Sequence, residues 1–194
     1  KTSNRRRTPM TLVIHPASAA QPLVRAATAA DMDIVQAIYA RHVREGLASF
    51  EIEPPDTAEI AARWRAVVER GLPYRIIEAD GAVRGFAYAA PYRARAGYRY
   101  TVEDSVYIAM ESLGRGYGRR LLADVIEAST RAGMRQMVAV IGDSANVASI
   151  ALHGALGFRN AGTLVSAGYK MGRWIDSVLM QRALGDGDAT LPRD

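Results

Sequence analysis

The chain has 194 residues, 49% of them hydrophobic, with no cysteine and only three histidines (His15, His42 and His153). It can bury one core, and its composition excludes disulfides, thiolate metal sites and a covalent cysteine mechanism. Of the 25 basic residues, Lys1, Arg5, Arg6 and Arg7 lie in an acid-free stretch of 22 residues, which leaves 21 against 20 acidic ones elsewhere. The net charge of +5 is therefore a property of that stretch, and the remainder offers no basic face for nucleic acid.

Residues 1–22 are rich in Thr, Ser, Ala and Pro and read as a disordered basic extension. The triplet Arg5-Arg6-Arg7 before residues 11–14 faintly resembles a secretory signal, but the apolar core is too short for one. No apolar run approaches the ~20 residues of a membrane helix, and the chain reads as cytoplasmic. Residues 23–184 read as a single domain and 185–194 as a polar tail.

Within the domain, residues 23–27 form a short strand, and Thr28 is placed to cap the helix that follows. Ile34, Val35, Ile38, Tyr39, His42 and Val43 make one stripe on that helix, in which His42 reads as structural. Pro54-Pro55 breaks the chain. Asp56 with Glu59 then starts a second helix, with Ile60, Trp64, Val67 and Val68 inward; Gly71 and Pro73 end it. Strands over 74–79 and 83–90 meet at Asp80-Gly81, a hairpin signal. A loop carrying Arg93 and Arg95 leads to a long strand over 98–110. A helix capped by Asn146 and reaching 156, and two strands over 159–165 and 174–182, complete the order β-α-α-β-β-β-α-β-α-β-β. That order predicts an α/β fold with one mixed sheet and helices on both faces.

Between the long strand and the next helix stands Leu113-Gly114-Arg115-Gly116-Tyr117-Gly118-Arg119-Arg120. In the helix that follows and ends at Gly133, Tyr117, Leu121, Leu122, Val125 and Ile126 share one face. A strand, a glycine turn and a helix start make an anion cradle, because the first amides are unpaired and the helix dipole favours negative charge. Arg115 and Arg119 add charge-assisted donors. The same residues also fit a plain glycine-rich turn with solvated arginines. A dinucleotide fold would need the turn after an early strand and an acid at the next strand end, and 136–140 carries none. A P-loop would need Gly-Lys-Ser/Thr.

The turn, with Gly116 and Gly118 at two small positions, resembles the GNAT superfamily of acyl-CoA-dependent N-acyltransferases. Leu113 departs from that family's usual Gln or Arg, and Gly114 is an extra glycine. Asn146, Ser149, His153 and Gly157-Phe158 resemble its second motif. Phe50 with Glu53-Pro54, the loop from Tyr92 to Tyr98, Thr101-Val102-Glu103, Gly168-Tyr169-Lys170 and Gly172-Arg173-Trp174 are similar to the phosphinothricin and methionine sulfoximine (sulfone) acetyltransferase branch.

The resemblance implies a twisted, mostly antiparallel sheet of about seven strands and a homodimer that acetylates a small amino-acid-like amine. It implies acetyl-CoA as co-substrate, with no metal and neither membrane nor nucleic acid as partner. Acetyl-CoA would lie along Val106, Tyr107 and Ile108, with its pyrophosphate over Gly114, Arg115, Gly116, Tyr117, Gly118 and Arg119, and with Asn146 and Ser149 beside it. Glu103 takes the role of general base. Read by itself, it fits equally an ion pair with a neighbour such as Arg99. His153 stands where many relatives place a tyrosine that protonates the leaving thiolate; it reads as acid, relay or structural histidine. Arg93 and Arg95 suit a carboxylate and a phosphinate or sulfoximine oxygen, or are solvated. Gly97 lies in the same loop, and Phe50 and Tyr98 read as an apolar wall or as core. Trp174 reads as packing, at a dimer interface. A GNAT enzyme for another amine and a non-catalytic acyl-CoA-binding module remain as alternatives.

Overall fold

A computed structural model describes residues 21–192 of the chain. The basic stretch before them lies outside the described residues. The elements are β1 (Leu23–Ala26), α1 (Met32–Glu45), α2 (Thr57–Val68), β2 (Tyr74–Ala79), β3 (Ala82–Pro91), β4 (Thr101–Ile108), α3 (Tyr117–Arg131), β5 (Gln136–Gly142), α4 (Val147–Ala155), β6 (Arg159–Lys170) and β7 (Arg173–Ala183). They form one seven-stranded sheet in the order β1-β2-β3-β4-β5-β7-β6. Every neighbouring pair is antiparallel except β4 with β5.

The local chemistry explains most boundaries. Asp80 (φ 52°) and Gly81 (φ 71°) both adopt the left-handed conformation, as a two-residue hairpin turn requires. Asp56 caps α2, its carboxylate accepting the Glu59 amide at 2.8 Å. Thr28 starts a single 3-10 turn, Ala29–Asp31, ahead of α1. There the Asp31 carboxylate takes the Thr28 amide (2.7 Å) and hydroxyl (2.9 Å), together with two nitrogens of Arg25 (both 2.8 Å).

Three expectations need correction. The long strand does not begin at residue 98, because Ala96–Tyr98 turns in a 3-10 helix; β4 starts at Thr101. The strand after α4 does not stop at 165. A bulge at Ser166 (φ 52°), whose amide donates to Asp176 at 2.9 Å, absorbs the irregularity and lets β6 run to Lys170. The Met171-Gly172 turn then returns the chain into β7. Ile34 and Val68 are exposed rather than inward, since each stripe is narrower than the spacing suggested. Trp174 is 66% exposed on the edge hairpin, edge-on to Tyr169.

The sheet is covered on both faces. Tyr39 of α1 packs edge-on against Tyr107 and Phe86, which with Tyr74 and Tyr88 form an aromatic layer. The register puts Glu103 and Ser105 on that face too, since strand side chains alternate. Val102, Asp104, Val106 and Ile108 point the opposite way, toward α3, whose Leu121, Leu122 and Val125 are fully buried. The C-terminal segment folds back: Leu184 is buried, and Arg135 donates to the Thr190 carbonyl at 2.6 Å. No helix among the described residues is long and apolar enough to cross a membrane.

Candidate active site

The parallel ladder between β4 and β5 runs from Thr101↔Gln136 to Asp104↔Ala139 and stops there, although both strands continue. The backbone groups of Ser105–Ile108 that would face β5 are thus left without a strand partner. His42 satisfies one of them: its Nε2–H donates to the Ile108 carbonyl at 2.8 Å, and burial holds the ring below its ordinary pKa. The opening leads to a groove of about 710 Å³.

The glycine turn forms one wall of that groove. Gly114 (φ 74°) and Gly116 (φ 77°) are left-handed with open space around them, and Gly116 is the N-cap of α3. The amides of the first turn of α3 therefore have no carbonyl above them within the helix. Gly118 lies against Leu152, Ile108 and Val106, so its lack of a side chain lets α3 approach β4 and α4. The turn and helix start line the groove through Gly114, Gly116, Tyr117, Gly118 and Arg119. Val106, Tyr107 and Ile108 line it from β4, and Asn146 and Ser149 from α4. Arg115 is exposed and outside it. Pyrophosphate fits a site of this kind, built from backbone donors, a dipole and Arg119. Asn146 is fixed by its own duty, accepting the Ser149 amide at 3.2 Å as the cap of α4.

A strap over residues 46–51 roofs the divergence. Leu47 and Ala48 line the groove, and Ala48 also lines a small cavity of about 50 Å³ at the point where β4 and β5 part. Beside the Arg63–Glu51 ion pair (2.6 Å), three contacts hold the strap. The Ser49 hydroxyl bonds the Tyr39 hydroxyl at 2.9 Å, and the Ser49 carbonyl accepts the buried Lys170 ammonium at 2.7 Å. The Phe50 ring lies on Gly168, where a Cβ would stand only 2.9 Å from it. Phe50 thus faces β6.

Glu103 sits one residue before the ladder ends, half-buried on the aromatic face. Burial and, secondly, the Asp104 charge push its pKa above the ordinary carboxylate value, against the pull of Arg93. Arg93, Arg95, Gly97 and Tyr98 are all exposed. The Arg93 guanidinium lies 4.8 Å from the Tyr92 ring centre, and Tyr98 stands edge-on to the same ring. The charge coupling brings Arg93 near Glu103; no contact brings Arg95, Gly97 or Tyr98 to the groove.

His153 is buried beside the small cavity on the opposite face from Glu103. Its Nδ1 donates to the Ser149 carbonyl at 2.7 Å, and its Nε2 lies 3.0 Å from Asp104 Oδ2. Burial alone would lower its pKa, but the Asp104 bond and charge, together with the Ser149 bond, hold it above the ordinary value.

Asp104, the strap and the groove-lining role of His42 are not among the residues the sequence marks. Asp104 interrupts the inward series Val102, Val106, Ile108, which becomes a signal once that face of β4 is known to be buried. Among the described residues no three His, Asp or Glu side chains gather to hold a metal ion.

Comparison with known proteins is consistent with this geometry. Residues 24–179 match the acetyltransferase (GNAT) domain family. The chain is 54% identical over 162 residues to a phosphinothricin N-acetyltransferase of Alcaligenes faecalis, covering 84% of this chain and 82% of that protein. It is 37% identical over 163 residues to an L-methionine sulfoximine/L-methionine sulfone acetyltransferase of Salmonella typhimurium, covering 84% and 95%. Among solved structures, a phosphinothricin acetyltransferase from Sinorhizobium meliloti in complex with acetyl-CoA superposes with a TM-score of 0.87 at 44% identity, covering 89% of this chain and 94% of that one. The chain belongs to the GNAT acetyltransferase family.

Proposed function

We propose that the protein transfers acetyl from acetyl-CoA directly to the α-amine of a small amino acid or analogue of the phosphinothricin, methionine sulfoximine or methionine sulfone type. The observation that carries this is Glu103: a half-buried carboxyl with a raised pKa, beside the point where β4 and β5 part. The similarity to phosphinothricin and methionine sulfoximine acetyltransferases supports the substrate class.

In this reading the amides of the first turn of α3, with Arg119, bind the pyrophosphate of acetyl-CoA. The unpaired edge of β4 from Val106 to Ile108 pairs with the pantetheine amides. The amide near Tyr107 polarises the thioester carbonyl. The amine arrives as an ammonium, since its pKa lies above neutral pH. Glu103 accepts one proton, directly or through one water, and frees the nitrogen lone pair for attack. A base with a raised pKa suits this task better than an ordinary carboxylate. His153, across the sheet and lining the small cavity where β4 and β5 part, serves the departing thiolate. Arg93, whose charge acts on Glu103, binds the substrate's carboxylate or its phosphinate or sulfoximine oxygen. An arginine beside the base disfavours a polycationic amine, whose charges it repels.

A purified-enzyme assay of thiol release over an amine panel tests the reading. Turnover of phosphinothricin, methionine sulfoximine or methionine sulfone is expected, and none on any of the three would refute the substrate class. We further propose a cytoplasmic homodimer. Leu164, Val165, Tyr169 and Trp174, all more than half exposed on the edge hairpin, supply an apolar contact face for a second copy. Sedimentation of the wild type against Trp174→Glu reads it: a dimer that the substitution splits supports the assignment, and a monomeric wild type refutes it.

A further inference from the structure

Asp104 is a buried acid to which the transfer mechanism gives no task. Its side chain is 1% exposed and that of its partner His153 is 5% exposed. An ion pair this deep is expensive to desolvate and is commonly no more stable than an apolar pair of similar size. Stability alone is therefore a poor reason for it. One carboxylate oxygen, Oδ1, is buried without a hydrogen-bond partner. Asp104 and His153 together line the 50 Å³ cavity at the parting of β4 and β5.

The hydrogen bonds fix the proton count. The Ser149 carbonyl can only accept, so Nδ1 carries a hydrogen. Nε2 then faces a carboxylate oxygen at 3.0 Å, a distance that needs a proton between them. Without Asp104 the same ring, pinned at Nδ1 and buried, would be neutral with a bare Nε2, unable to protonate anything. The other charged groups nearby do not replace Asp104. Glu103, next on β4, points to the opposite face, and Arg182 on β7 is engaged with the Leu156 carbonyl at the end of α4. The Phe158 ring, edge-on to His153, brings no charge.

We infer that Asp104 is a positioning residue for the leaving-group step, holding on Nε2 of His153 the proton that the departing thiolate receives. The inference rests on the reading of His153 given above. As the carbon–sulfur bond breaks, its electron pair stays on sulfur. The hydrogen on Nε2, held by Asp104 Oδ2 at rest, is handed to the sulfur that enters the cavity both side chains line; it forms the thiol and leaves neutral His153 beside the Asp104 carboxylate, and solvent returns the proton.

Asp104→Asn keeps the shape and removes the charge. With three histidines in the chain, ring ¹⁵N NMR of the full-length protein can follow His153 directly. We expect both ring nitrogens protonated at pH 7.5 in the wild type, and an Nε2 midpoint at least one pH unit lower in Asp104→Asn. In turnover, kcat should fall tenfold or more with KM for acetyl-CoA within about threefold, and the alkaline limb of the kcat profile should move to lower pH. A bare Nε2 in the wild type at pH 7.5 overturns the inference even if the variant does not fold. So does an identical His153 titration in both proteins. If His153→Gln is crippled while Asp104→Asn matches the wild type, the inference alone fails. If His153→Gln retains full kcat, the role of His153 itself fails, and this inference with it.

Discussion

Gly142→Ala tests the strap by a contact alone, because Gly142 ends β5 without a left-handed backbone that would add strain. A Cβ there stands 2.3 Å from the Leu47 carbonyl oxygen and 3.3 Å from the Ala48 Cα. Ordinary contact would need the oxygen to retreat by roughly 1 Å, since packed heavy atoms settle above about 3.3 Å. The strap cannot retreat freely. The Ser49 carbonyl is held by Lys170 at 2.7 Å, the Ser49 hydroxyl by Tyr39 at 2.9 Å, and Phe50 is seated on Gly168. Overpacking of this kind costs about 1–3 kcal/mol. At roughly 2–4 °C per kcal/mol for a domain of this size, Tm should fall by about 2–12 °C. Because Leu47 and Ala48 also line the groove, KM for acetyl-CoA should rise as well, several-fold or more, while an ordinary surface glycine would leave it alone. Gly154→Ala is that control: its added Cβ meets nothing within 4 Å. Thermal melts and thiol-release kinetics on both variants read the effect. A Gly142→Ala enzyme with Tm within 1 °C of wild type and an unchanged KM would refute the clamped strap.

Three further outcomes follow from individual residues. Gly154 is exposed within α4 and an added Cβ meets nothing, so Gly154→Ala should stabilise the fold by about 0.5–1 kcal/mol in urea titration. Asp31 has its pKa lowered to about 2 by the Arg25 bond, with Thr28 adding two more donors. A depressed acid stabilises the fold above its unfolded pKa and loses that contribution as pH falls through its folded one. Asp31→Asn should thus cost about 1–2 kcal/mol at pH 7, discounted for the part-exposed Arg25, and the difference from wild type should shrink between pH 4 and pH 2. Gly116→Ala places a side chain on a left-handed N-cap, at about 1–2 kcal/mol of strain. It should raise KM for acetyl-CoA more than KM for the amine, and equal effects on both would count against the cradle.

Much of this site is legible in the sequence because its parts are local. Gly114 and Gly116 announce a left-handed turn, Tyr117 to Ile126 an amphipathic helix, and Asp80-Gly81 a hairpin, each within a few residues. What stayed hidden is non-local. Asp104 becomes notable only once both faces of β4 are known to be covered, and periodicity alone does not say so. Its partner lies 49 residues away on α4. The strap depends on Gly142 and Gly168 making room for Leu47 and Phe50, contacts that span about a hundred residues. The run of β6 past Val165 depends on a bulge held by Asp176 from the neighbouring strand. His42 looked like part of a stripe, yet it serves the strand edge that the parting of β4 and β5 leaves open.

The central claim is that Glu103 removes the amine proton in a direct transfer from acetyl-CoA. It is tested most directly by kcat of Glu103→Gln on methionine sulfone, followed by thiol release across pH. Loss of a general base is worth roughly 10²–10⁴ in rate. The account predicts a fall of that size at neutral pH, with the residual rate climbing as alkali frees the amine. A Glu103→Gln enzyme with wild-type kcat and an unchanged pH profile would contradict it.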